Sequence, residues 1–387
     1  MNFSVPKEIN NALLTLNNAG FEAYIVGGCV RDMLLNKIPQ DYDITTSATP
    51  EEIIKLFPHT IPTGIKHGTV TVIFDNNERT EITTFRCETA YSDNRHPESV
   101  SFVKTIEEDL SRRDFTVNAM AYCDKTGLKD PFSGLEDLNN QTLRAVGEPR
   151  KRFSEDALRI LRLFRFSAQL DFKIESNTFV QALKLAENLS TISRERIRDE
   201  FIKTLCAQNP AAITPLIKTD CLSFLGIGKE LTFFDNLELL KAAPIPRFAY
   251  YCFKNNLNAF EIAQNLRLSK AFSKSCENVC EMLRGNVPAN KVQIKQILRS
   301  IPKNDFEIYL QIVSVFNDTD KLTECLKEIE DKGEPYSLSQ LEINGDDLLK
   351  LGIRDKQIKL ALENLLTLVI EHPEFNDKII LKEQVTK

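Results

Sequence analysis

Two acidic side chains separated by a single residue, Asp41 and Asp43, are the clearest candidates for chemistry in this chain of 387 residues. If they lie on a strand, both side chains point to one face of it, about 6–7 Å apart. Two carboxylates at that distance repel each other unless a divalent cation lies between them. Mg²⁺ fits such a place because it binds one or two carboxylates, several waters and the phosphate oxygens of a substrate. A solvated strand edge is the alternative interpretation of the same pattern.

A glycine pair upstream of these carboxylates could hold phosphates. Gly27 and Gly28 follow a short apolar segment and open a predicted helix, so the backbone can approach a phosphate and the first N–H groups favour an anion. Arg31 lies in the first turn of that helix, where its guanidinium can grip phosphate oxygens. A glycine pair alone is usually only a turn, and neither common phosphate-loop pattern, G-x-x-x-x-G-K-[ST] or G-x-G-x-x-G, is present. Combined with the two carboxylates, however, this order predicts a nucleotide site.

The sequence RRDFTVNA at residues 112–119 is a second candidate for ligand contacts. Two arginines followed by Asp114 and Asn118 could simply cap a helix. Beside a triphosphate site the same residues acquire a chemical role, because arginine binds phosphate and the shorter side chains can meet sugar hydroxyls. Arg113 is therefore a candidate ligand for phosphate or sugar, and Asp114 and Asn118 are candidates for ribose contacts.

Three arginines at intervals of three residues mark residues 153–172, FSEDALRILRLFRFSAQLDF. We expect one helix capped by Ser154, with Asp156 in the first turn, where negative charge is favourable. At about 100° per residue the arginines share a sector about 120° wide, and Asp156 lies next to it. A solvated, salt-bridged polar face is the ordinary interpretation, but an arginine face poor in carboxylates favours an anionic ligand. The arginines are Arg159, Arg162 and Arg165.

An Asp–Arg pair on this helix matches two of the four bases. Cytosine presents an amino donor beside the acceptor N3, and adenine presents N6–H beside N1. Since Asp only accepts hydrogen bonds and Arg only donates them, Asp156 with Arg159 complements both bases. Uracil and guanine present the reverse order, and a buried mismatch costs roughly 1–3 kcal/mol, up to about a hundredfold in selectivity. Arg162 and Arg165, farther along the helix, could hold the base or the phosphates.

The elements that must position these residues change in type along the chain. Up to about residue 140 the pattern is mixed α/β. Residues 69–74 (TVTVIF) and 79–85 (RTEITTF) alternate and are rich in β-branched side chains, and the sequence DNN between them favours a hairpin turn. From about residue 150 apolar residues recur at spacings of three and four, which predicts helices. We therefore expect an α+β protein in which a catalytic α/β module precedes a long helical extension.

Composition and charge narrow the function classes. Hydrophobic residues make up 42% of the chain and charged residues 27%, which is typical of a globular protein. The net charge of −6 does not indicate a nucleic-acid binder, so any RNA contact requires a local basic patch. Residues 142–203 are the best candidate, because they carry 13 Lys and Arg against 9 Asp and Glu.

Cellular location and redox state are also predicted by composition. No apolar run is long enough to span a membrane, and the polar start of the chain argues against a signal peptide, so we expect a cytoplasmic protein without membrane contact. The nine cysteines show no C-x-x-C spacing. We expect them to be reduced core thiols rather than disulfides or zinc ligands.

In these motifs the chain resembles class II tRNA nucleotidyltransferases, the CCA-adding enzymes, within the DNA polymerase β-like nucleotidyltransferase superfamily. The matching sequences are GGCVRD with the later DYD, RRDFTVNA, and EDALRILRLFRF, and SRERI at residues 193–197 resembles the neck-helix motif of the family. The resemblance is strong in the first half of the chain and holds only in outline beyond it. It implies a nucleotidyltransferase head with a small mixed sheet, followed by an all-helical neck, body and tail. We expect these domains at residues 1–140, 141–205, 206–300 and 301–387.

The resemblance also implies a reaction and its ligands. The expected partners are tRNA, CTP and ATP: the tRNA 3′-hydroxyl attacks the α-phosphate, pyrophosphate leaves, and CCA is added without a template. Mg²⁺ is the expected cofactor in a two-metal mechanism, with Asp41 and Asp43 as the catalytic and metal-binding residues and Glu81 as a candidate third carboxylate. The sequence does not predict an oligomeric state. Nucleotide contacts are implied for Gly28, Arg31, Arg113, Asp156, Arg159, Arg162 and Arg165.

Other functions fit parts of the same pattern. A-adding enzymes and bacterial poly(A) polymerases resemble this family too, and a non-catalytic RNA-binding scaffold could keep the fold. The polar loop at residues 86–98 favours an enzyme that adds the final A, because CC-adding enzymes look shortened there. The mixed charge of the C-terminal end argues against a poly(A) polymerase. Residues 343–353 (INGDDLLKLGI) resemble the family's tRNA-binding tail, although residues 354–357 read RDKQ where a second glycine often follows.

Overall fold

A mixed β-sheet organises the N-terminal part of the computed structural model, which describes residues 3–91 and 97–386. By its internal contacts the chain divides into two units, Met1–Thr232 and Phe233–Lys387. All described strands lie in the first unit, and the second unit is helical throughout its described residues. The expected α+β class is therefore confirmed, while the four-domain division remains a prediction.

Seven of the described strands form one sheet in the order β3-β4-β5-β2-β1-β8-β9. The central strand β2 runs antiparallel to β1 and parallel to β5. The pair β6–β7 forms a separate antiparallel hairpin, and β10 pairs in parallel with β11. The strands are β1 (Ala23–Val26), β2 (Ile44–Thr46), β3 (Thr60–Gly64), β4 (Thr69–Ile73), β5 (Arg79–Thr84), β6 (Arg86–Tyr91), β7 (Pro97–Phe102), β8 (Ala121–Cys123), β9 (Gly127–Lys129), β10 (Thr142–Leu143) and β11 (Lys173–Ile174).

The helices of the first unit cover the sheet and continue beyond it. Their bounds are α1 (Lys7–Asn18), α2 (Gly28–Leu34), α3 (Pro50–Leu56), α4 (Ile106–Ser111), α5 (Gly134–Asn139), α6 (Pro149–Glu155), α7 (Leu158–Leu170), α8 (Ser176–Lys184), α9 (Arg194–Leu205) and α10 (Thr214–Ile217). The second unit contains α11 (Pro244–Lys254), α12 (Ala259–Asn265), α13 (Lys270–Arg284), α14 (Lys291–Leu298), α15 (Lys303–Val313), α16 (Asp320–Asp331), α17 (Gly345–Lys350), α18 (Lys356–Glu371) and α19 (Lys378–Thr386). None of the helices described is both long and apolar enough to cross a membrane.

The core of the first unit follows from apolar sequence on its central strands. All four residues of β1 and all three of β2 are buried, as expected for strands covered on both faces. One side of the sheet packs a cluster that includes Tyr24, Phe85 and Leu110. Burying each such side chain contributes about 1.5–3 kcal/mol. The sheet is therefore a firm base for the loops at its edge.

The two strands predicted from alternation, β4 and β5, are confirmed within one residue at their ends. The strand predicted to carry the two carboxylates is too long at its start, because β2 begins only at Ile44. Before that point, the carbonyl oxygen of Tyr42 accepts a hydrogen bond from the hydroxyl of Thr80 (2.6 Å), which is not part of the regular strand pairing. The predicted loop at residues 86–98 is largely the β6–β7 hairpin, and residues 92–96 of that prediction lie outside the described part of the chain.

The single helix predicted from Ser154 is wrong: two helices meet there. α6 begins earlier, at Pro149, because proline is favoured in the first turn and the Glu148 carboxylate caps the next two backbone N–H groups. The chain then becomes extended at Asp156 (φ −145°, ψ 105°) before α7 starts at Leu158. The segment expected to be all-helical also contains the short strand β11, which pairs with β10.

In the second unit, residues 354–357 keep a glycine-like turn without a glycine. Asp355 precedes α18 with φ 52° and ψ −128°, a backbone conformation that ordinarily requires glycine. A non-glycine residue in such a region costs about 1–3 kcal/mol. The departure from the family pattern therefore leaves strain at the start of the longest described helix.

We expect Asp355→Gly to stabilise the protein by about 1 kcal/mol, because glycine adopts this conformation without a steric penalty. Denaturant unfolding of the variant and the parent chain measures the change. Asp346→Gly is the matched control, since Asp346 is exposed and lies inside α17. Glycine there should cost roughly 0.5–1 kcal/mol, because it removes a favourable carboxylate from the first turn of the helix and has a lower helix propensity than aspartate. A loss of stability in both variants would contradict the strain at Asp355.

Candidate active site

The two predicted carboxylates lie just before the central strand of the sheet. The backbone N–H of Val26 in β1 donates to the carbonyl of Asp43 (3.0 Å), which ties this residue to the sheet although the regular strand starts one residue later. Ile44 pairs with Ile82 in the parallel strand β5, so Glu81 occupies the position beside Asp43. The sheet therefore brings Asp43 and Glu81 together from distant parts of the sequence.

Charge accumulates around Asp43. Burial raises the pKa of this carboxyl; the nearby Arg113 guanidinium lowers it, and the negative charges of Glu81 and Asp41 raise it again. Within the described ranges, no three His, Cys, Asp or Glu side chains already converge as metal ligands. The three carboxylates nevertheless form an electronegative group of hard oxygen donors, which is what Mg²⁺ prefers. The donor set therefore fits a divalent cation.

The turn before α2 requires glycine at position 27 for a steric reason. Its backbone (φ 82°, ψ −129°) is one that glycine adopts readily. A Cβ added to Gly27 would lie 2.9 Å from Nη1 of Arg113, whereas one on Gly28 would make only an ordinary contact, 3.7 Å from Nη2 of Arg31. Gly27 therefore allows the guanidinium of Arg113 to lie against the turn, which the sequence motif did not reveal.

Arg113 lies beside the carboxylates with part of its guanidinium unpaired. Its buried Nε has no hydrogen-bond partner among the residues that the structure describes. Its Nη2 lies 3.5 Å from the carboxylate of Asp109. A buried donor without an acceptor costs about 1–3 kcal/mol, more when charged. A phosphate oxygen at Nε would remove that cost, so this position fits an anionic ligand.

Arg31 is more enclosed than the sequence predicts. Its guanidinium is buried, donates from Nη1 to Asn118 (2.6 Å), and forms an ion pair with Asp32 (2.7 Å). It also lies 5.2 Å from the ring centroid of Phe166 in α7. The structure therefore brings the glycine-turn helix and the RRDFTVNA sequence together, and Arg31 helps to hold them in contact.

Asp114 pairs with an arginine of α7. Its Oδ2 accepts from Nε (2.8 Å) and Nη2 (2.6 Å) of Arg162, and its Oδ1 accepts from Asn118 (3.2 Å). Burial opposes ionisation, but the charge and hydrogen bonds of Arg162, with those of Asn118 and the Phe115 N–H, hold the pKa of Asp114 well below its usual range. This carboxylate is therefore ionised and oriented within the first unit.

Asp156 and Arg159, predicted to act as a pair, have different partners here. Asp156 accepts from both terminal nitrogens of Arg196 in α9 (3.3 and 2.7 Å) and from the backbone N–H of Leu158. Arg159 is buried and pairs with Glu155 (2.7 Å). The helix α6 ends at Asp156, and the two side chains therefore have different partners.

Arg162 and Arg165 share a second carboxylate, Glu200 of α9. Nε of Arg165 lies 2.7 Å from Glu200, and Nη1 of Arg162 lies 3.8 Å from it. The Arg165 guanidinium also lies over the ring of Phe166, 3.5 Å from the centroid. A cation above an aromatic face is stabilised by the ring quadrupole. Both guanidinium groups are therefore already held by the carboxylate of Glu200, and that of Arg165 also by the ring of Phe166.

Four residues that the sequence analysis did not assign complete this arrangement. Phe166 contacts three arginines, and the others are partners of predicted site residues. Asp109 could have been found by its spacing of three and four residues before the double arginine, since such pairs meet on a helix. Arg196 lies in the SRERI motif, one turn before Glu200. The unassigned residues are Asp109, Phe166, Arg196 and Glu200.

The mixed head sheet, with carboxylates beside a glycine turn, is the arrangement expected of a nucleotidyltransferase, and related proteins show that the chain belongs to this class. A family model described as "Poly A polymerase head domain" matches residues 23–144, and one described as "Probable RNA and SrmB- binding site of polymerase A" matches residues 171–225. The CCA-adding enzyme of Enterococcus faecalis is 42% identical over 73% of this chain and 71% of that protein. The CCA-adding enzyme of Ligilactobacillus salivarius is 37% identical over 99% of this chain and 98% of its own length. The chain therefore belongs to the family of CCA-adding enzymes.

Solved structures agree with this assignment. The CCA-adding enzyme of Bacillus stearothermophilus in complex with CTP superimposes with a TM-score of 0.86 at 29% identity, covering 98% of this chain and 97% of that one. The Thermotoga maritima CCA-adding enzyme complexed with tRNA_CCA gives a TM-score of 0.65 at 22% identity, over 100% and 96% of the two chains, and shows the likeness of fold alone. The family resemblance stated from the motifs is confirmed.

We expect Asp114→Asn to destabilise the protein by about 2 kcal/mol at pH 7, less than for a fully buried pair because Arg162 is partly exposed to solvent. The folded-state pKa of Asp114 is lowered, so its contribution is present above the unfolded pKa, near about 4, and is lost as the pH falls through the lower folded value. The difference between variant and parent should therefore shrink below about pH 4. Urea unfolding of both proteins at pH 7 and pH 3 measures it.

Asp199→Asn is the control for this prediction. Asp199 also pairs with an arginine, Arg198, but is 55% exposed in its side chain. Its replacement should change stability by less than about 0.5 kcal/mol at either pH. An equal effect of the two substitutions would contradict a special role of the Asp114 pair.

Proposed function

We propose that this protein adds CCA to the 3′ ends of tRNA, using CTP and ATP and releasing pyrophosphate. The carrying observation is the 37% identity with a CCA-adding enzyme over 99% of the chain. The residues expected for the reaction are present in one unit, around the edge of the head sheet. A solved CCA-adding enzyme that is 29% identical to this chain was captured with CTP, which supports CTP as a ligand of this chain.

Asp41 and Asp43 are the residues that would hold Mg²⁺, with Glu81 as a third carboxylate. The electronegative surroundings of Asp43 support this role, because its neighbours Glu81 and Asp41 raise its pKa and a cation would relieve the repulsion. Bound Mg²⁺ would supply activation of the tRNA 3′-hydroxyl and charge neutralisation at the leaving oxygens. The protein's own part is to hold these carboxylates close together at the sheet.

The triphosphate is proposed to lie between the glycine turn and Arg113. The unpaired, buried Nε of Arg113 supplies a donor for a phosphate oxygen. Gly28 offers backbone without a side chain at the start of α2, and Gly27 leaves room for the arginine itself. Arg31 contributes positive charge from the far side of the turn, where Asn118 and Asp32 hold it.

Base selection is proposed for Asp156, Arg159, Arg162 and Arg165. A carboxylate has about four acceptor sites, and the hydrogen bonds from Arg196 and Leu158 occupy three of those on Asp156. The remaining acceptor can meet the amino group of cytosine or adenine. Arg159 is engaged with Glu155 and with backbone carbonyls, so we expect its guanidinium to exchange contacts when a nucleotide binds.

Addition of A alone, or of a poly(A) tail, is the second candidate. The match of residues 23–144 to a poly(A) polymerase head domain favours it, since such enzymes share the site residues. A non-catalytic scaffold is disfavoured, because it has no need for the carboxylates beside Arg113. We place the activity in the cytoplasm, in keeping with the nine free cysteines, six of them buried.

Stepwise extension of defined tRNAs tests this function. The protein is incubated with Mg²⁺ and tRNAs that end before CCA, after one C, or after CC, with each nucleotide singly and with CTP and ATP together. We expect completion of CCA on all three tRNAs and little use of UTP or GTP. Extension of the CC-ending tRNA alone would identify an A-adding enzyme, and a long A tail a polymerase. Binding of tRNA without incorporation of any nucleotide would instead favour the non-catalytic RNA-binding scaffold.

Asp41→Ala and Asp43→Ala should each abolish nucleotide transfer while leaving tRNA affinity within about twofold, because the carboxylates serve the reaction rather than RNA contact. Single-turnover incorporation and tRNA binding are measured on the same preparations. Asp75→Ala, at an exposed position of the turn between β4 and β5, is the control and should keep full activity. Turnover that survives in either site variant would remove the metal-binding assignment.

A further inference from the structure

Asp109 is a buried carboxylate that the proposed reaction leaves without a role. It lies in α4 with no solvent-exposed surface. Three residues donate to it: Arg112 through Nε and Nη2 (3.0 and 2.8 Å), Arg113 through Nη2 (3.5 Å) and Arg86 through its backbone N–H (3.3 Å). The hydroxyl of Thr45 lies 3.4 Å from the carboxylate and shares its proton with the carbonyl oxygen of Thr83 at 3.2 Å. Asp109 is therefore the meeting point of three segments that are far apart in sequence.

Arg113 takes its direction from this contact. One terminal nitrogen lies against Gly27, and the other meets Asp109, which leaves the buried Nε for a ligand. Arg113 also experiences the charges of Asp43 and Asp114. If the attraction of Asp109 were removed, the guanidinium would be drawn toward those two carboxylates. It would then form an ion pair with Asp43 and occupy carboxylate oxygens that the proposed reaction needs for Mg²⁺.

The same carboxylate reaches the strand that follows the catalytic pair and the start of the β6–β7 hairpin. Thr45 lies in β2, two residues after Asp43, and Arg86 is the first residue of β6. Each of these contacts has a distance of 3.3–3.4 Å and adds to the stronger pair with Arg112. Asp109 consequently contacts both β2 and β6, which lie beside the site, and also Arg113.

We infer that Asp109 is a positioning residue of the nucleotide site, which holds Arg113 away from Asp43 and directs its Nε toward the triphosphate. It acts through Arg113 and does not touch the substrate. The inference rests on the proposed role of Arg113 in phosphate binding. Asp109 would support the binding of CTP and of ATP equally, because both nucleotides carry the same triphosphate.

Steady-state kinetics of Asp109→Asn test the inference on the full chain with tRNA lacking CCA. We expect the KM for CTP, and the KM for ATP on tRNA ending in CC, to rise about tenfold each, with their ratio unchanged. Asp137→Asn is the matched control, since Asp137 is also buried and accepts from an arginine and a threonine hydroxyl, Arg144 and Thr116. It should lose stability but keep both KM values within about twofold. An equal rise in the control would overturn the inference.

A double-mutant cycle with Arg113→Met separates positioning from a general structural effect. If Asp109 acts through Arg113, the double variant should have nearly the same KM as Arg113→Met alone. Multiplicative effects of the two substitutions would overturn the inference. A normal KM in Arg113→Met would instead refute the proposed phosphate contact, so the two failures are distinguishable.

A compensated variant covers the case in which Asp109→Asn does not fold. Asp109→Asn with Arg112→Gln replaces the buried ion pair by two amides, which avoids an unpaired charge. We expect this variant to show the same rise in KM, whereas Arg112→Gln alone, which leaves Arg113 with its carboxylate, stays within about twofold. A normal KM in the compensated variant would overturn the inference.

Discussion

Buried and half-buried pairs of arginine and carboxylate fix the charged side chains around the site of the first unit. Arginine stays charged at any relevant pH, so each guanidinium that leaves water needs an acceptor. Asp109, Asp114, Glu155 and Glu200 supply these acceptors, each within 2.6–2.8 Å of an arginine nitrogen. Because a charge that is largely removed from water is costly without a partner, the position of each arginine depends on its carboxylate. This arrangement directs the cationic side chains without the help of a ligand.

Such preorganisation has a consequence for nucleotide binding. Immobilising a long side chain on binding costs roughly 0.5–1.5 kcal/mol, and that cost is avoided where the side chain is already held. Arg31, Arg162 and Arg165 are held around Phe166, with guanidinium carbons 5.2, 5.4 and 3.5 Å from the ring centroid. Arg113 differs, since its Nε is buried without an acceptor among the described residues. This donor of Arg113 therefore lacks an acceptor in the part of the chain that the structure describes, and it lies beside the carboxylates that suit a cation.

The sheet supplies the other half of the site. Parallel pairing of β2 with β5 places Glu81 next to Asp43, and the antiparallel neighbour β1 leads directly into the glycine turn. Both strands β1 and β2 are fully buried, so the segments at their ends have little freedom to shift. The proposed metal-binding group depends on strand register, because a slip of one residue would turn Asp43 to the other face.

The types and spacing of the residues predict the available side-chain chemistry and the local elements. Features that depend on neighbours within a few residues can be predicted from the sequence. They are the carboxylate pair, the glycine turn, the arginines at spacings of three, and strands β4 and β5. The partners of the charged side chains, in contrast, depend on the packing of the whole unit. Asp156 meets Arg196 rather than Arg159, and Asp109 meets the arginine that faces the site. The physical reason is that an ion pair between distant segments depends on how helices pack and where they break, and no periodicity along the chain contains that information.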